Sequence, residues 1–226
     1  MNRIFRFAAL TLPFSFFISA AVNAQVNDAG LWISLAAEKK ITQKLSLGLS
    51  QETRFDENIS RLATSYTDVG AEYRIFKFLS AGIHYRYVRS RQLTGFYEPR
   101  QRFYADVSYR YRNKPVIVTL RQRLQAQYRN TRNDSKTKSP ESYLRSKLTV
   151  KFDLDKKYFP YISTELFFQL NNDLGNEIDN IRYAAGFDYE LNNFHAVGLY
   201  YLINKEIHVV NPETDYVIGA EYKYSF

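Results

Sequence analysis

The sequence has no cysteine among its 226 residues, only three histidines, and one residue each of methionine and tryptophan. Without cysteine, disulfides and thiolate chemistry are excluded, so the fold must be stabilised in another way. The available imidazoles are those of His84, His195 and His208. The sequence also has no Gly-x-Ser-x-Gly elbow and no histidine cluster at metal-ligand spacing. It therefore predicts no catalytic residue, no metal site and no cofactor.

Long uncharged apolar runs are absent except at the N-terminus. Arg3 and Arg6 precede an uncharged stretch from residue 7 to about residue 22, and small residues follow up to Ala24. This pattern predicts a secretory signal peptide, residues 1–24, cleaved after Ala24; the alternative is a retained membrane anchor helix. No later segment approaches the roughly 18 apolar residues of a membrane helix. We expect residues 25–226 to form a single domain without a helical anchor.

The net charge is +8, and it falls to +6 once the two arginines of the signal peptide are removed. A basic chain suggests a polyanionic partner. Export argues against nucleic acid and favours anionic lipid or lipopolysaccharide.

The sequence is rich in aromatic residues, with 19 tyrosines and 17 phenylalanines, yet its mean hydropathy is only −0.41. Apolar and polar residues therefore alternate. In residues 44–55, for example, Leu45, Leu47 and Leu49 alternate with Ser46, Gly48 and Ser50. Such period-two segments of roughly 10 to 14 residues recur about eleven times, and no segment has helical periodicity.

The connections between these segments alternate between short turns and longer polar loops, as in a meander of hairpins. We therefore predict an all-β fold, an antiparallel up-and-down transmembrane β-barrel of 10–12 strands. A soluble barrel with an apolar interior is the alternative.

Three observations favour an apolar face that points outward into lipid. A soluble barrel of well over eight strands would have an apolar lumen too wide for side chains to fill, whereas a polar lumen can hold water or a salt-bridged network. The segments reach the roughly 9 to 11 residues that a tilted strand needs to cross a bilayer. The apolar faces of the ten stronger segments carry no charge in their central part, as expected when a mid-bilayer Arg or Lys costs about 2–4 kcal/mol.

Aromatic residues gather near both ends of the segments, which is typical of the girdles at the two membrane interfaces. The alternative is that tyrosine and phenylalanine simply favour strands. The two groups are Tyr73, Tyr109, Tyr111, Tyr189, Tyr222 and Tyr224 near the short turns, and Tyr87, Phe103, Tyr128, Tyr183 and Tyr216 near the long loops.

The final segment alternates up to an aromatic last residue, through Tyr222, Tyr224 and Phe226. It resembles the C-terminal signal by which bacterial outer-membrane proteins are recognised by the barrel-assembly machinery. The stretch "GLWISLAAEKKITQKLSLGLSQETRF", with Trp32 and its "KKITQKLSL" hairpin, is similar to an uncharacterised family of outer-membrane barrels, domain-of-unknown-function family 2490. The resemblance implies a location in the outer membrane of a Gram-negative envelope and implies no known activity.

Bacterial barrels have even strand numbers, which places both termini in the periplasm. About eleven segments would then mean ten strands plus an N-terminal segment in the lumen, or twelve strands with one unrecognised.

Charges of both signs occupy the polar faces and predict a lumen charge network. Its members are Glu52, Asp68, Glu72, Arg86, Arg102, Asp106, Arg110, Arg121, Arg123, Glu165, Asp188 and Glu221. Four basic residues on one loop are candidates for contact with lipopolysaccharide phosphates, namely Arg129, Arg132, Lys136 and Lys138. Asp173, Glu177 and Asp179 could bind a divalent cation, but their spacing matches no known calcium loop.

The leading hypothesis for function is a non-catalytic, porin-like narrow pore, or a structural or partner-binding component of the envelope, which could belong to a larger outer-membrane complex. The alternative is an outer-membrane enzyme that hydrolyses lipid A or phospholipid. Such an enzyme would need one of the three histidines beside a serine. His84 lies on a polar face as a lumen residue, His195 lies beside a short turn, and His208 lies in a loop.

Overall fold

Eleven β-strands form one closed barrel in a computed structural model that describes residues 26–92, 94–129, 140–171, 175–209 and 211–226. The strands are β1 Val26–Lys40, β2 Leu45–Asp56, β3 Arg61–Phe76, β4 Leu79–Arg91, β5 Tyr97–Asn113, β6 Val116–Arg129, β7 Glu141–Phe152, β8 Tyr158–Gln169, β9 Ile178–Glu190, β10 His195–Glu206 and β11 Glu213–Ser225. The described residues contain no helix long and apolar enough to cross a bilayer. The all-β fold and the strand count are as predicted.

The barrel closes through a parallel seam between β1 and β11. Thirteen residue pairs are in register, from Val26 opposite Glu213 to Glu38 opposite Ser225. Every other neighbouring pair is antiparallel. An odd number of strands in a meander makes the first and last strands run in the same direction. The expectation of an even number, with β1 in the lumen or a twelfth strand, is therefore wrong, because β1 pairs on both sides within the wall.

The two ends of the barrel differ. Connections 41–44, 77–78, 114–115, 153–157 and 191–194 lie at one end, the turn end, and the other connections lie at the opposite, loop end. β1 and β11 both start at the loop end and finish at the turn end, so the two strands of the seam are parallel.

Contacts at the turn end complete the seam. The Phe226 amide donates to the Glu38 carbonyl at 2.9 Å, and the Phe226 carbonyl accepts from the Lys40 amide at 3.0 Å. Lys223 pairs with Glu38 at 2.5 Å, and the Lys39 ammonium lies 5.1 Å from the centre of the Phe226 ring. The last residue is therefore part of the closure.

The distribution of polarity is the reverse of that in an ordinary soluble core. Large apolar side chains cover the outside, where Leu49 is 54% exposed and Ile83 is 70% exposed. Charged side chains lie inside, where Asp68 is 6% exposed and Glu165 is 5% exposed. Among the described residues, nine polar or charged side chains are buried and only five apolar ones. The interior is therefore a polar network.

Gly70 provides the space that His84 occupies inside the barrel. A Cβ atom at Gly70 would lie 2.0 Å from His84 Nδ1. Gly48, which is directly opposite Gly70 on β2, has nothing within 4 Å of such an atom. A side chain at Gly70 would thus collide with His84, whereas the neighbouring position of Gly48 has room for one.

We predict that Gly70→Ala lowers the free energy of unfolding by about 1–3 kcal/mol, because the His84 ring must leave its site. Gly48→Ala, the matched control, should change it by less than about 0.5 kcal/mol. Urea unfolding of the purified proteins measures both. Equal stabilities for the two variants would contradict the packing described here.

Candidate functional site

Arginines and aromatic rings alternate around the inside of the barrel in a nearly closed ring, which we call the belt. Neighbouring guanidinium carbons and ring centres are 3.6 to 5.5 Å apart. One residue from each of β1 to β9 takes part, in the order Trp32, Arg54, Tyr66, Arg86, Tyr104, Arg123, Arg145, Phe167 and Arg182, and Arg182 returns to Trp32. The only step without a ring joins Arg123 to Arg145, which are register partners on β6 and β7.

Carboxylates neutralise four of the five belt arginines. Arg54 pairs with Glu52 at 2.6 Å, Arg86 with Asp68 at 2.7 Å, and Arg123 with Asp106 at 2.6 Å. Arg145 pairs with Glu165 at 2.9 Å, and the same carboxylate oxygen accepts from Arg121 at 2.8 Å. Ring contact adds about 2 kcal/mol per cation when the pair is desolvated. Ion pairs and ring contacts thus link the belt residues of β1 to β9 to one another.

The belt borders a chamber of about 620 Å³, the upper chamber. Besides the five belt arginines, its basic lining residues are Arg100, Arg102, Arg121, Arg129 and Lys147. Six acidic residues line it, namely Glu52, Glu141, Glu165, Asp179, Glu206 and Glu221. Three more carboxylates, of Asp68, Glu98 and Asp106, pair with lining arginines without lining the chamber themselves. The remaining positive charge is therefore local and lies on the basic groups without a carboxylate partner.

Two such groups, Arg102 and Arg182, hydrogen-bond to amides. Arg102 donates to Gln127 Oε1 at 3.1 Å from Nε and at 2.5 Å from Nη2, and Gln127 in turn donates to Glu141 at 3.0 Å. Arg182 donates to Asn204 Oδ1 at 2.7 Å, and Asn204 donates to Asp215 at 3.0 Å. In both cases an amide separates the arginine from the carboxylate.

A smaller cavity of about 200 Å³, the lower chamber, extends toward the turn end. Glu38, Asp68, Glu72 and Glu221 line it together with Lys223 and His84. Ala36, Ser50 and Glu221 line both chambers, so the two cavities adjoin. Basic residues therefore outnumber acidic ones in the lining of the upper chamber, whereas carboxylates predominate in the lower one.

Most members of the predicted lumen charge network meet in this region. Seven line the upper chamber, namely Glu52, Arg86, Arg102, Arg121, Arg123, Glu165 and Glu221, while Asp68 and Glu72 line the lower one. Asp106 pairs with Arg123, and Asp188 pairs with Lys151. Arg110 is exposed near the turn end and lies outside the lining of both chambers.

The three histidines each have a different partner. His84 stacks on Tyr104 with ring centres 4.7 Å apart, and its Nδ1 lies 3.3 Å from Asp68 Oδ1. His195 lies 2.5 Å from the Tyr222 hydroxyl, and His208 lies 3.0 Å from the Ile178 carbonyl. Within the described ranges, no serine hydroxyl is hydrogen-bonded to a histidine.

Two sets of predicted contact residues lie at opposite ends. Tyr222, Tyr224 and Phe226 follow the outer face at the turn end, where Tyr224 stacks between His195 and Phe226. At the loop end, Arg129 pairs with Glu141 at 2.5 Å. Arg132, Lys136, Lys138 and Asp173 lie outside the described residues. In the described ranges no group of three acidic or histidine side chains could hold a metal ion.

The comparison with family models decides the classification. The model of DUF2490, a protein of unknown function, matches residues 29–209, about four-fifths of the sequence. The chain belongs to the DUF2490 family. The matched part of this DUF2490 barrel runs from β1 into the loop after β10 and so contains the whole belt. No curated protein matches the sequence.

Sequence reasoning missed most of the belt of this DUF2490 barrel, because only Arg86 and Arg123 among its nine residues belonged to the predicted network. Arg54, Arg145 and Arg182 were absent from the predicted network, and Trp32 served only to support the family resemblance. Strand parity places Arg54, two residues from Glu52, on the same polar face, although the predicted network did not include it. Nothing in the local sequence indicates that Arg54 and Arg182, which are 128 positions apart in the chain, approach the same indole ring.

We predict that Glu165→Gln lowers the free energy of unfolding by about 3–5 kcal/mol, because Arg121 and Arg145 lose their shared buried carboxylate. Asp155→Asn is the matched control, since its pair with Lys114 is exposed, with side chains 74% and 54% accessible, and exposed pairs contribute at most about 1 kcal/mol. Denaturant unfolding followed by fluorescence of the single tryptophan measures both variants. A Glu165→Gln barrel as stable as the wild type would refute the role given to this carboxylate.

Proposed function

We propose that this DUF2490 barrel lies in the outer membrane of a bacterium, to which it is exported by a cleaved signal peptide. Support comes from the closed wall, which leaves no unpaired strand edge, and from the apolar outer face. In this proposal Tyr222, Tyr224 and Phe226 serve as the signal for the barrel-assembly machinery. The partners are membrane lipid and the phosphates of lipopolysaccharide near Arg129.

Membrane insertion predicts a strong penalty for charge at the centre of the outer face. Ile83 lies in the middle of β4 and is 70% exposed. Ile83→Arg should destabilise a lipid-embedded barrel by about 2–4 kcal/mol and reduce its assembled amount. Gln43→Arg, in the exposed turn between β1 and β2, should have little effect. A soluble barrel would tolerate both changes equally, so equal folding of the two variants from urea into lipid vesicles would contradict the membrane proposal.

Within that membrane, we infer a non-catalytic narrow passage that favours anions. The observation that carries this function is a set of three basic groups in the upper chamber, Arg102, Arg182 and Lys147, that form no ion pair with a carboxylate among the described residues. A chamber with an excess of positive charge in a low-dielectric wall raises the local concentration of anions. The adjoining acidic lower chamber would slow their exit at the turn end.

A second candidate function is a locked barrel that has a structural or partner-binding role, alone or in a larger complex. The belt favours it, because arginines from five strands project into the interior and stack on aromatic rings from four others. A locked barrel would conduct no ions across a bilayer.

Planar-bilayer recording on purified protein distinguishes the two functions. The passage predicts small conductance steps whose reversal potential in a salt gradient indicates anion preference, and Arg102→Gln should weaken that preference. Arg110→Gln removes the same charge from the same strand outside both chambers and should leave selectivity unchanged. Conductance no greater than background would leave the locked barrel as the function.

The alternative of a lipid hydrolase receives no support from the described geometry, because within the described ranges no serine hydroxyl is hydrogen-bonded to His84, His195 or His208. Unaltered lipid A and phospholipid profiles in a strain that lacks the gene are the expected result. A changed profile would restore the enzyme hypothesis.

A further inference from the structure

Two arginines on opposite parts of the wall share an unusual arrangement. Arg102 on β5 and Arg182 on β9 both line the upper chamber, and each contacts a buried amide whose own N–H group is bound to a carboxylate. Gln127 and Asn204, the two amides, are 6% and 7% exposed. The same sequence of groups, arginine to amide to carboxylate, thus occurs twice in one chamber.

The amide changes what each arginine can bind. A buried guanidinium normally has a carboxylate in direct contact, which both neutralises it and occupies its donors. A neutral amide oxygen accepts hydrogen bonds from one side of the guanidinium and does not neutralise its charge. The carboxylate is bound to the amide N–H group and does not contact the arginine directly. Arg182 uses only Nε in this contact, so its two terminal nitrogens keep their donors for another acceptor.

The surroundings add positive charge to the same region. Arg54 and Arg86 line the same chamber as Arg102 and Arg182. Arg54 and Arg182 both approach Trp32, with guanidinium carbons 3.6 and 5.3 Å from the centre of its ring. Two cationic groups thus meet near one indole, and among the described residues only Arg54 of the two has a directly bound carboxylate. Arg102 lines the same chamber.

We propose that Arg54 and Arg182, beside Trp32, and Arg102, in the lining of the same chamber, form a binding site for a small soluble anion that bears a phosphate group. Planar guanidinium groups match phosphate oxygens in a bidentate manner, and two or more of them favour a dianion over chloride. The chamber volume of about 620 Å³ lies within the range of small-molecule sites.

Because the three arginines line the chamber and not the outer wall, the ligand is a solute and not the headgroup of a membrane lipid. The inference deepens the proposed passage by naming its ligand class, and it rests on that proposal in requiring solutes to enter from the loop end.

The single tryptophan reports binding directly. Purified protein in detergent micelles is titrated with inorganic phosphate and with pyrophosphate at constant ionic strength set with chloride. We expect a saturable change in the emission of Trp32, with tighter binding of pyrophosphate. Equilibrium dialysis with radiolabelled phosphate measures the same binding without relying on fluorescence.

Two nearly isosteric substitutions test the mechanism. Gln127→Glu and Asn204→Asp place a carboxylate directly against Arg102 and Arg182, so each should weaken phosphate binding about ten-fold or more by occupying and neutralising the arginine. Asn192→Asp is the matched control, because it adds the same charge in the turn between β9 and β10, where the side-chain oxygen accepts from Phe194 and His195. Its affinity for phosphate should equal that of the wild type.

Dialysis without saturable uptake by the wild type would overturn the site, as would equal affinities for the wild type, Gln127→Glu and Asn204→Asp. Retention of the heat-modifiable band on electrophoresis shows that each variant is folded. The outcome is independent of the bilayer recordings. Binding without conductance would refute only the passage, and conductance without binding would refute only the site.

Discussion

The structure depends on one constraint, which is that arginines placed inside a closed barrel must be both neutralised and held in place. Carboxylates supply the neutralisation at Arg54, Arg86, Arg123 and Arg145, and aromatic rings cover the flat faces that carboxylates leave open. A carboxylate binds the edge of a guanidinium while a ring covers its face, so the two interactions do not compete. Each arginine thereby joins neighbouring strands, and nearly the whole circumference is connected without an apolar core.

The odd number of strands requires the barrel to close through a parallel pair, and this pair is also supported by interior side chains. Parallel pairing is slightly weaker per residue than antiparallel pairing, yet the seam of thirteen residue pairs is supplemented at the turn end by Phe226, Lys223 and Lys39. The belt crosses the barrel beside the seam through Arg182 and Trp32. On β11 the position opposite Trp32 is Gly219, over which the Tyr200 ring lies. The interior side chains thus support the part of the wall with the weaker pairing.

Much of this architecture was readable from local patterns. Period-two alternation predicted the number of strands and the position of residues such as Asp68, Arg123 and Glu165 on the inner face, because parity along a strand is a local property. Strand count alone did not reveal the parallel seam, since the prior for bacterial barrels is an even number. The partners inside the lumen were equally hidden, because register and curvature decide whether Arg102 meets a carboxylate or, as it does, Gln127.

By itself, the sequence determined the fold class, the absence of thiol chemistry, the direction of each strand's polar face and the family resemblance to DUF2490. These follow from composition and from the two-residue repeat, which each segment carries alone. Only the tertiary structure decided that β1 closes against β11, that aromatic rings separate the arginines, and that Arg102 and Arg182 contact amides. Those features join residues from strands far apart in the chain. The distances between these residues are set by the register and tilt of the strands in the closed barrel.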